Sequence, residues 1–250
     1  MNENEAWFRF YEELNDFLPS YKRKTSFPFQ FRGNPSVKDA IESIGIPHVE
    51  IDMILVNSNS VDFSYKMQNG DVVSVYPVFE SLDIKNVQKL RAKPLRNPKF
   101  ILDVHLGRLS KYLRLCGFDS IFQKSLTDRQ IVDISVTDKR IILTRDRGLL
   151  KSKKVTHGYW IRSSKPKEQL KEVIERLDLM GNINPFTRCL VCNGLLRKVQ
   201  KEIVIDSLPE RTKDFYTEFR KCNDCGRIYW EGSHYERMRK FLLTIQDEPV

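Results

Sequence analysis

Arg140-Ile141-Ile142-Leu143-Thr144-Arg145-Asp146-Arg147-Gly148 is the stretch on which the fold of this chain turns. Its centre is wholly aliphatic, which predicts a strand buried on both faces, as in a parallel sheet. An aspartate follows at once, so the strand delivers a carboxylate at its carboxyl end. Outward from here, strands alternate with helical periods. Phe100-Ile101-Leu102 is a short apolar strand followed by Asp103. Leu106, Leu109, Leu113 and Cys116 recur three to four apart, the buried face of a helix that ends at Gly117, and Cys116 reads as a core residue. Arg108, Lys111 and Arg114 lie three apart on another face. Asp119-Ser120-Ile121-Phe122 predicts a second strand, and Thr127 caps a helix beginning at Asp128 with Ile131, Ile134 and Ser135 turned to the core. Gly158-Tyr159-Trp160-Ile161-Arg162 is a fourth strand, and a helix over Lys167 to Met180 closes the set. The alternation predicts an α/β domain over 99–183, a parallel sheet covered by helices on both faces.

In such a sheet the carboxyl ends of the strands gather along one edge, where ligands bind. Asp103 and Asp146 follow strands one and three, and Asp128 opens the helix after strand two. Asp119 begins a strand and is expected at the opposite edge. Asp133 stands roughly 140° around the helix from Asp128 and is expected to point elsewhere. Aspartate is also a favoured helix cap, and all three selected residues stand near a helix start, so capping is the plain alternative. Crowded carboxylates repel unless a cation or proton sits among them, and hard oxygen ligands suit Mg²⁺ or Mn²⁺.

The chain has 250 residues, enough for one large domain or two to three small ones. No apolar run approaches the roughly 20 residues that cross a bilayer, and Met1 to Glu13 lacks the pattern of a signal peptide. A cytoplasmic protein with no membrane partner is expected. Net charge is +9, unevenly spread: residues 1–85 carry −5 and residues 86–250 carry +14. A basic rear favours phosphate backbones, either as a binding surface or as a merely soluble face.

The acidic front, 1–82, reads as two strands (Trp7 to Tyr11 and Phe27 to Phe31), a helix, then more strands. Ser36-Val37-Lys38-Asp39 is a capping-box-like start with Asp in place of Glu, Val37, Ala40, Ile41 and Ile44 form the apolar face, and Gly45 ends the helix. Met53 to Val56 and Val72 to Tyr76 are further strands, the last entered through the turn Asn69-Gly70-Asp71. This order describes a β-grasp domain. Ile54-Leu55-Val56-Asn57 with Asn69-Gly70-Asp71-Val72-Val73 and Pro77 resembles the ubiquitin-like sulfur carriers, which act through a terminal Gly-Gly. Here the strand runs on into Val78-Phe79-Glu80-Ser81, and the sequence ends Asp247-Glu248-Pro249-Val250. An adapter, a possible docking point for a protein partner, or a wall of the substrate site is expected instead. Residues 83–98 form a basic linker, either solvated or a cationic tether beside a nucleic-acid site; Asn86 to Lys99 has five basic residues, no acid and two prolines.

The rear, 184–250, carries Cys189-Leu190-Val191-Cys192 and Cys222-Asn223-Asp224-Cys225-Gly226, two knuckles 29 residues apart. Cys189, Cys192, Cys222 and Cys225 are expected to hold a structural Zn²⁺, tetrahedral and closed. Gly194 and Gly226 permit the tight turns that free backbone amides for the sulfurs. Tyr229-Trp230 beside Arg227, Arg237 and Arg239 either stacks on unpaired bases or glues the ribbon to the middle domain; a C-terminal helix follows, which His234 either caps or leaves to reach the catalytic edge.

Asp103, the run from Leu106 to Asp119 and Thr144-Arg145-Asp146-Arg147-Gly148-Leu149-Leu150 resemble the PIN-like ribonuclease family named after the C-terminal domain of the Mut-seven exonuclease. The resemblance extends to the whole order, with a ubiquitin-like front and a zinc-ribbon end. It implies metal-dependent RNase activity with Asp103, Asp128 and Asp146 as the acidic set. Many PIN domains carry a fourth acid after the fourth strand; here Ser163 and Ser164 stand there, with Glu168 a turn later. Arg108, Lys111, Arg145 and Arg147 are expected to hold the RNA backbone, fixing register without reading sequence. A non-catalytic RNA- or ribosome-binding adapter with a vestigial site is the alternative.

Overall fold

The computed structural model of the protein describes residues 3–77 and 98–246, without the side chains of His234, Ile245 and Gln246. Val78 to Ser81 and the basic stretch up to Asn97 lie outside the described residues. The chain divides into two compact units, Met1–Arg96 with Asp128–Trp160, and Asn97–Thr127 with Ile161–Val250.

The front sheet contains β1 (Asn4–Phe10), β2 (Phe27–Phe31), β3 (Ile51–Val56), β4 (Asn59–Val61) and β5 (Val72–Pro77), in the order β2-β1-β5-β3-β4. β1 is antiparallel to β2 and parallel to β5, and α1 (Val37–Ile44) comes between the second and third strands. This is the β-grasp arrangement. Side chains alternate across a strand, so Ala6, Phe8 and Phe10 enter the core while Trp7 and Arg9 face outward. The start of α1 is a reciprocal cap: Ser36 Oγ accepts from Asp39 N at 3.1 Å and donates to Asp39 Oδ2 at 2.6 Å. Gly45, at φ +123°, ends the helix in a conformation that a Cβ would strain.

From residue 98, strands and helices alternate: β6 (Lys99–Leu102), α2 (Gly107–Leu115), β7 (Asp119–Ile121), α3 (Asp128–Asp138), β8 (Ile141–Thr144), α4 (Arg147–Leu150), β9 (Gly158–Trp160) and α5 (Pro166–Arg176). β6 and β7 are a parallel pair in one unit, with Lys99 opposite Asp119. β8 and β9 are a parallel pair in the other, with Ile142 opposite Gly158. The fold is mixed α/β, with parallel strands flanked by helices. All four residues of β8 are buried, as a strand covered on both faces requires. Leu106, Leu109, Leu113 and Cys116 are buried too, and burial pushes the Cys116 thiol up to about 12, which leaves it inert.

In the first unit the 128–160 segment packs on the β-grasp sheet. Glu50 Oε1 accepts from Trp160 N at 2.6 Å, and Phe17 lies 4.8 Å from the Trp160 ring. His48 reaches Glu42 Oε1 at 2.6 Å through Nδ1 and the Val155 carbonyl at 2.8 Å through Nε2.

The rear of the second unit begins with β10 (Leu196–Val199), continues through α6 (Glu210–Phe215), β11 (Phe219–Cys222) and β12 (Ile228–Trp230), and ends in α7 (Ser233–Gln246). The three strands form an antiparallel sheet in chain order. Among the described residues its buried hydrophobic cluster is Val204, Leu208 and Phe219, with half-buried Val199, Tyr216, Ile228 and Trp230 around it, a small core of the kind that a staple reinforces. Among the described residues, no helix is long and apolar enough to cross a membrane.

Candidate active site and metal centre

Asp128 and Asp146 line one cleft of about 380 Å³, with Arg129 and Lys154 beside them. Asp128 is the first residue of α3 and is exposed, and its carboxylate makes no hydrogen bond or ion pair among the described residues. Asp146 stands directly before α4. Its backbone N–H donates to Thr144 Oγ1 at 2.8 Å, and its Oδ1 accepts from Gly148 N at 2.7 Å. One carboxylate oxygen thus caps the turn. The other, Oδ2, has no hydrogen-bond partner among the described residues. Asp133, expected to point away from Asp128, lines the same cleft, with Oδ1 3.4 Å from Lys154 Nζ.

Arg147 and Trp160 fix the Asp146 turn. The Arg147 guanidinium lies 4.0 Å from the centre of the Trp160 ring and 5.0 Å from that of Phe17, and donates to the carbonyls of Asp16 (3.3 Å) and Phe17 (3.4 Å). Trp160 Nε1 donates to the Arg145 carbonyl at 3.2 Å. In place of the expected phosphate contact, Arg147 clamps the turn to the β-grasp domain, because two aromatic faces and two carbonyls are within its reach.

In the second unit, Asp103 directly follows β6 and is 5 % exposed; its Oδ1 accepts from His105 N at 2.8 Å. Arg108 and Lys111, which the sequence reading expects to hold the RNA backbone, are exposed on α2.

The four cysteine sulfurs lie within 4.8 Å of one another, with Cys189 and Cys225 3.6 Å apart and Cys192 and Cys222 3.4 Å apart. A tetrahedral ion at about 2.3 Å from each sulfur sets them about 3.8 Å apart, so the donor set fits zinc. The thiols themselves call for a cation. Burial pushes Cys189 up, but hydrogen bonds from the backbone N–H groups of Cys192 and Val191 and the Tyr229 hydroxyl outweigh it and bring it to about 6. Cys192 is pushed up to about 12 by burial and by the sulfurs around it. Four thiols this close cannot all ionise without positive charge among them. Gly194 is required here: a Cβ would meet the Asp224 carboxylate and stand 2.9 Å from Cys222 Sγ.

The family model described as the Mut7-C RNAse domain matches residues 98–242, and that described as Mut7-C ubiquitin matches residues 3–83. The chain belongs to the Mut7-C RNAse family. Neither the curated proteins nor the solved structures contain a match to it. Membership makes it a nuclease-type protein at the level of the family, with a ubiquitin-like front.

Within the Mut7-C domain the cysteine module is tied to α2 by a residue whose role the sequence reading missed. Arg114, 4 % exposed, donates to the Ser120 carbonyl through Nε (3.1 Å) and Nη2 (2.8 Å), and through Nη1 to the carbonyls of Leu190 (3.1 Å) and Val191 (2.8 Å). Helical spacing grouped it with the exposed Arg108 and Lys111; the first knuckle covers its end of the helix. Asn193 adds a bond from Ser120 N (2.9 Å) and one to Asp119 (2.8 Å). Tyr229 acts within the module instead, joining its last strand to the first knuckle: its hydroxyl lies 3.0 Å from Cys189 Sγ and accepts from Leu190 N at 3.1 Å. Glu168 pairs with Lys165 at 3.0 Å. Past β9, the carboxylate that meets the chain is that of Glu172, which accepts from the N–H groups of Arg162 (2.8 Å) and Ser163 (2.9 Å). The side chain of His234 lies outside the described residues.

Proposed function

We propose that the protein hydrolyses RNA phosphodiesters with Mg²⁺ or Mn²⁺ held by Asp103, Asp128 and Asp146. The observation that carries this reading is the sharing of one open cleft by Asp128 and Asp146 in a member of an RNase family. Their oxygens suit hard divalent cations. A metal ion bound there would lower the pKa of a water and offset charge growing on the phosphate. Gly148 N–H fixes one oxygen of Asp146 and so orients the other. Asp103 is the third ligand by its place in the chain, directly after β6, as Asp146 comes just after β8. Arg108, Lys111 and Arg145, all exposed, position the phosphates, and Arg147 positions the Asp146 turn. Water attack leaves a 3′-hydroxyl and a 5′-phosphate.

The four cysteines hold a structural Zn²⁺ in this reading. With every position taken by sulfur, no site is open there for hydrolysis. The β-grasp domain acts as a wall behind the Asp146 turn, with its outer face left for a protein partner, and the protein works in the cytoplasm. One observation favours a second reading: Asp103 and Asp146 each give an oxygen to their own backbone, as simple caps would. A non-catalytic RNA- or ribosome-binding adapter would look the same at those two residues.

Incubation of the pure protein with labelled tRNA, rRNA and single-stranded DNA, with Mn²⁺ or with no added divalent metal, separates the two. Metal-dependent fragments with 3′-hydroxyl ends support hydrolysis. Intact RNA under every metal, with binding retained, leaves the adapter.

A further inference from the structure

A cavity of about 270 Å³ opens between the β10–β11–β12 sheet and the first turn of α7. Aromatic side chains form much of its wall. The Phe186 and Tyr235 rings lie 4.0 Å apart between centroids, with Tyr229 and Trp230 beside them. Sites for drug-sized molecules run to about 300–1,000 Å³, so this one is scaled to a single flat ring system.

Cations stand at the same place. The strand register sets Lys198 directly opposite Arg220, and Arg220 opposite Tyr229, and both cations line the cavity. On the neighbouring rung Arg197 faces Lys221. Like charges directly opposite each other destabilise a sheet. Lys198 has a contact with Glu218 at 3.5 Å, but both groups are largely exposed and such pairs contribute little. Glu218 and Glu231 also line the cavity, against Arg188, Lys198 and Arg220, so its wall keeps an excess of cations beside the aromatic rings, which suits a ligand carrying both a flat ring and negative charge.

We infer that this cavity takes one unpaired nucleobase of an RNA strand against Tyr235 and Trp230, with the adjoining phosphate on Arg220 and Lys198. The inference rests on the RNA reading above but uses none of its aspartates. It makes the cysteine module a grip for single-stranded RNA, since a base held in a duplex cannot enter the cavity.

The test uses the full chain carrying Asp146→Asn, zinc-loaded and without added Mg²⁺ or Mn²⁺, and a fluorescein-labelled ten-nucleotide single strand. Arg220→Glu and Tyr235→Leu should each raise Kd at least about fivefold, the scale on which one base stack is lost. A hairpin without unpaired ends should bind weakly and respond little to either change. Zinc content and the melting curve report whether each variant folds. As a second measurement on the otherwise unaltered protein, 2-aminopurine placed along the single strand should change its fluorescence on binding at one position. Unchanged Kd in both folded variants, or no 2-aminopurine signal at any position, overturns the pocket. Cleavage by the wild-type protein with Mn²⁺ is scored separately. Cleavage without the pocket effects sinks this inference alone, and pocket binding without cleavage sinks the nuclease reading alone.

Discussion

Asp146 spends one oxygen on the turn that presents it, and a Cβ at Gly148 would stand 3.1 Å from that oxygen. Gly148→Ala therefore crowds the carboxylate while leaving the buried Leu149 and Leu150 in place. Single-turnover cleavage should fall by about one to two orders of magnitude, the scale on which small misplacements act, with the melting temperature little changed. Unaltered cleavage in a folded variant would show that the position of Asp146 does not matter. At this scale the sequence was informative where one backbone rule applied. An aspartate directly after an apolar strand is legible, as are a Ser-x-x-Asp cap and a CxxC knuckle. Arg114 and Arg147 were not legible, because what they touch is far away in the chain: Leu190 and Val191 for one, Asp16, Phe17 and Trp160 for the other. Asp133 misled because a helical angle alone does not say how wide a cleft is.

Helix α2 and the first cysteine knuckle behave as one hydrogen-bonded block through Arg114. Arg114→Ala removes a buried guanidinium and leaves the carbonyls of Ser120, Leu190 and Val191 without their donor. The expected loss is about 1–3 kcal/mol by denaturant unfolding, the scale of buried acceptors left without their donor, with faster metal release to a chromogenic chelator. Arg114→Lys should recover little, since one ammonium cannot copy a planar fork that serves three carbonyls. Metal removal acts on the same block. Under a strong chelator, amide exchange should rise across β10, β11 and β12, whose buried cluster is three residues, and stay slow in the five-stranded front sheet with its extended core. Equal exchange in both states would mean that the cysteines hold no structural ion. Helix α2 and the front strands were legible because their periods are strong, whereas β10, β11 and β12 were not, being short and rich in charged residues that leave little apolar alternation. The joints were not legible either, because carbonyl acceptors have no sequence signature.

Over the whole molecule, charge divides the chain into an acidic front and a rear that carries +14 over residues 86–250. If Arg108, Lys111, Arg145 and Arg220 each meet a phosphate, log K for single-stranded RNA should fall with log salt at a slope of about −3, and Arg220→Glu should flatten it by roughly 0.7. A slope near zero would remove backbone contact from the account. The order of ubiquitin-like front, nuclease-type middle and cysteine-rich end was readable from composition shifts and motifs. The grouping of Asp128–Trp160 with the front was not. It depends on Trp160, Glu50, His48 and Arg147 meeting across more than a hundred residues of chain, and no local pattern announces such pairs. This packing makes the β-grasp domain part of what holds Asp146, beyond any docking role.

In the proposed reaction, carboxylates beside strand ends and a helix start carry a metal-dependent cut. Its most direct test is single-turnover cleavage of a labelled RNA by Asp146→Asn in Mn²⁺, with binding measured on the same preparation. Cleavage should fall by at least about a thousandfold while Kd stays within about twofold, as for a group that acts only in the transition state. Wild-type turnover in the purified variant, with contaminating nuclease excluded, would contradict it.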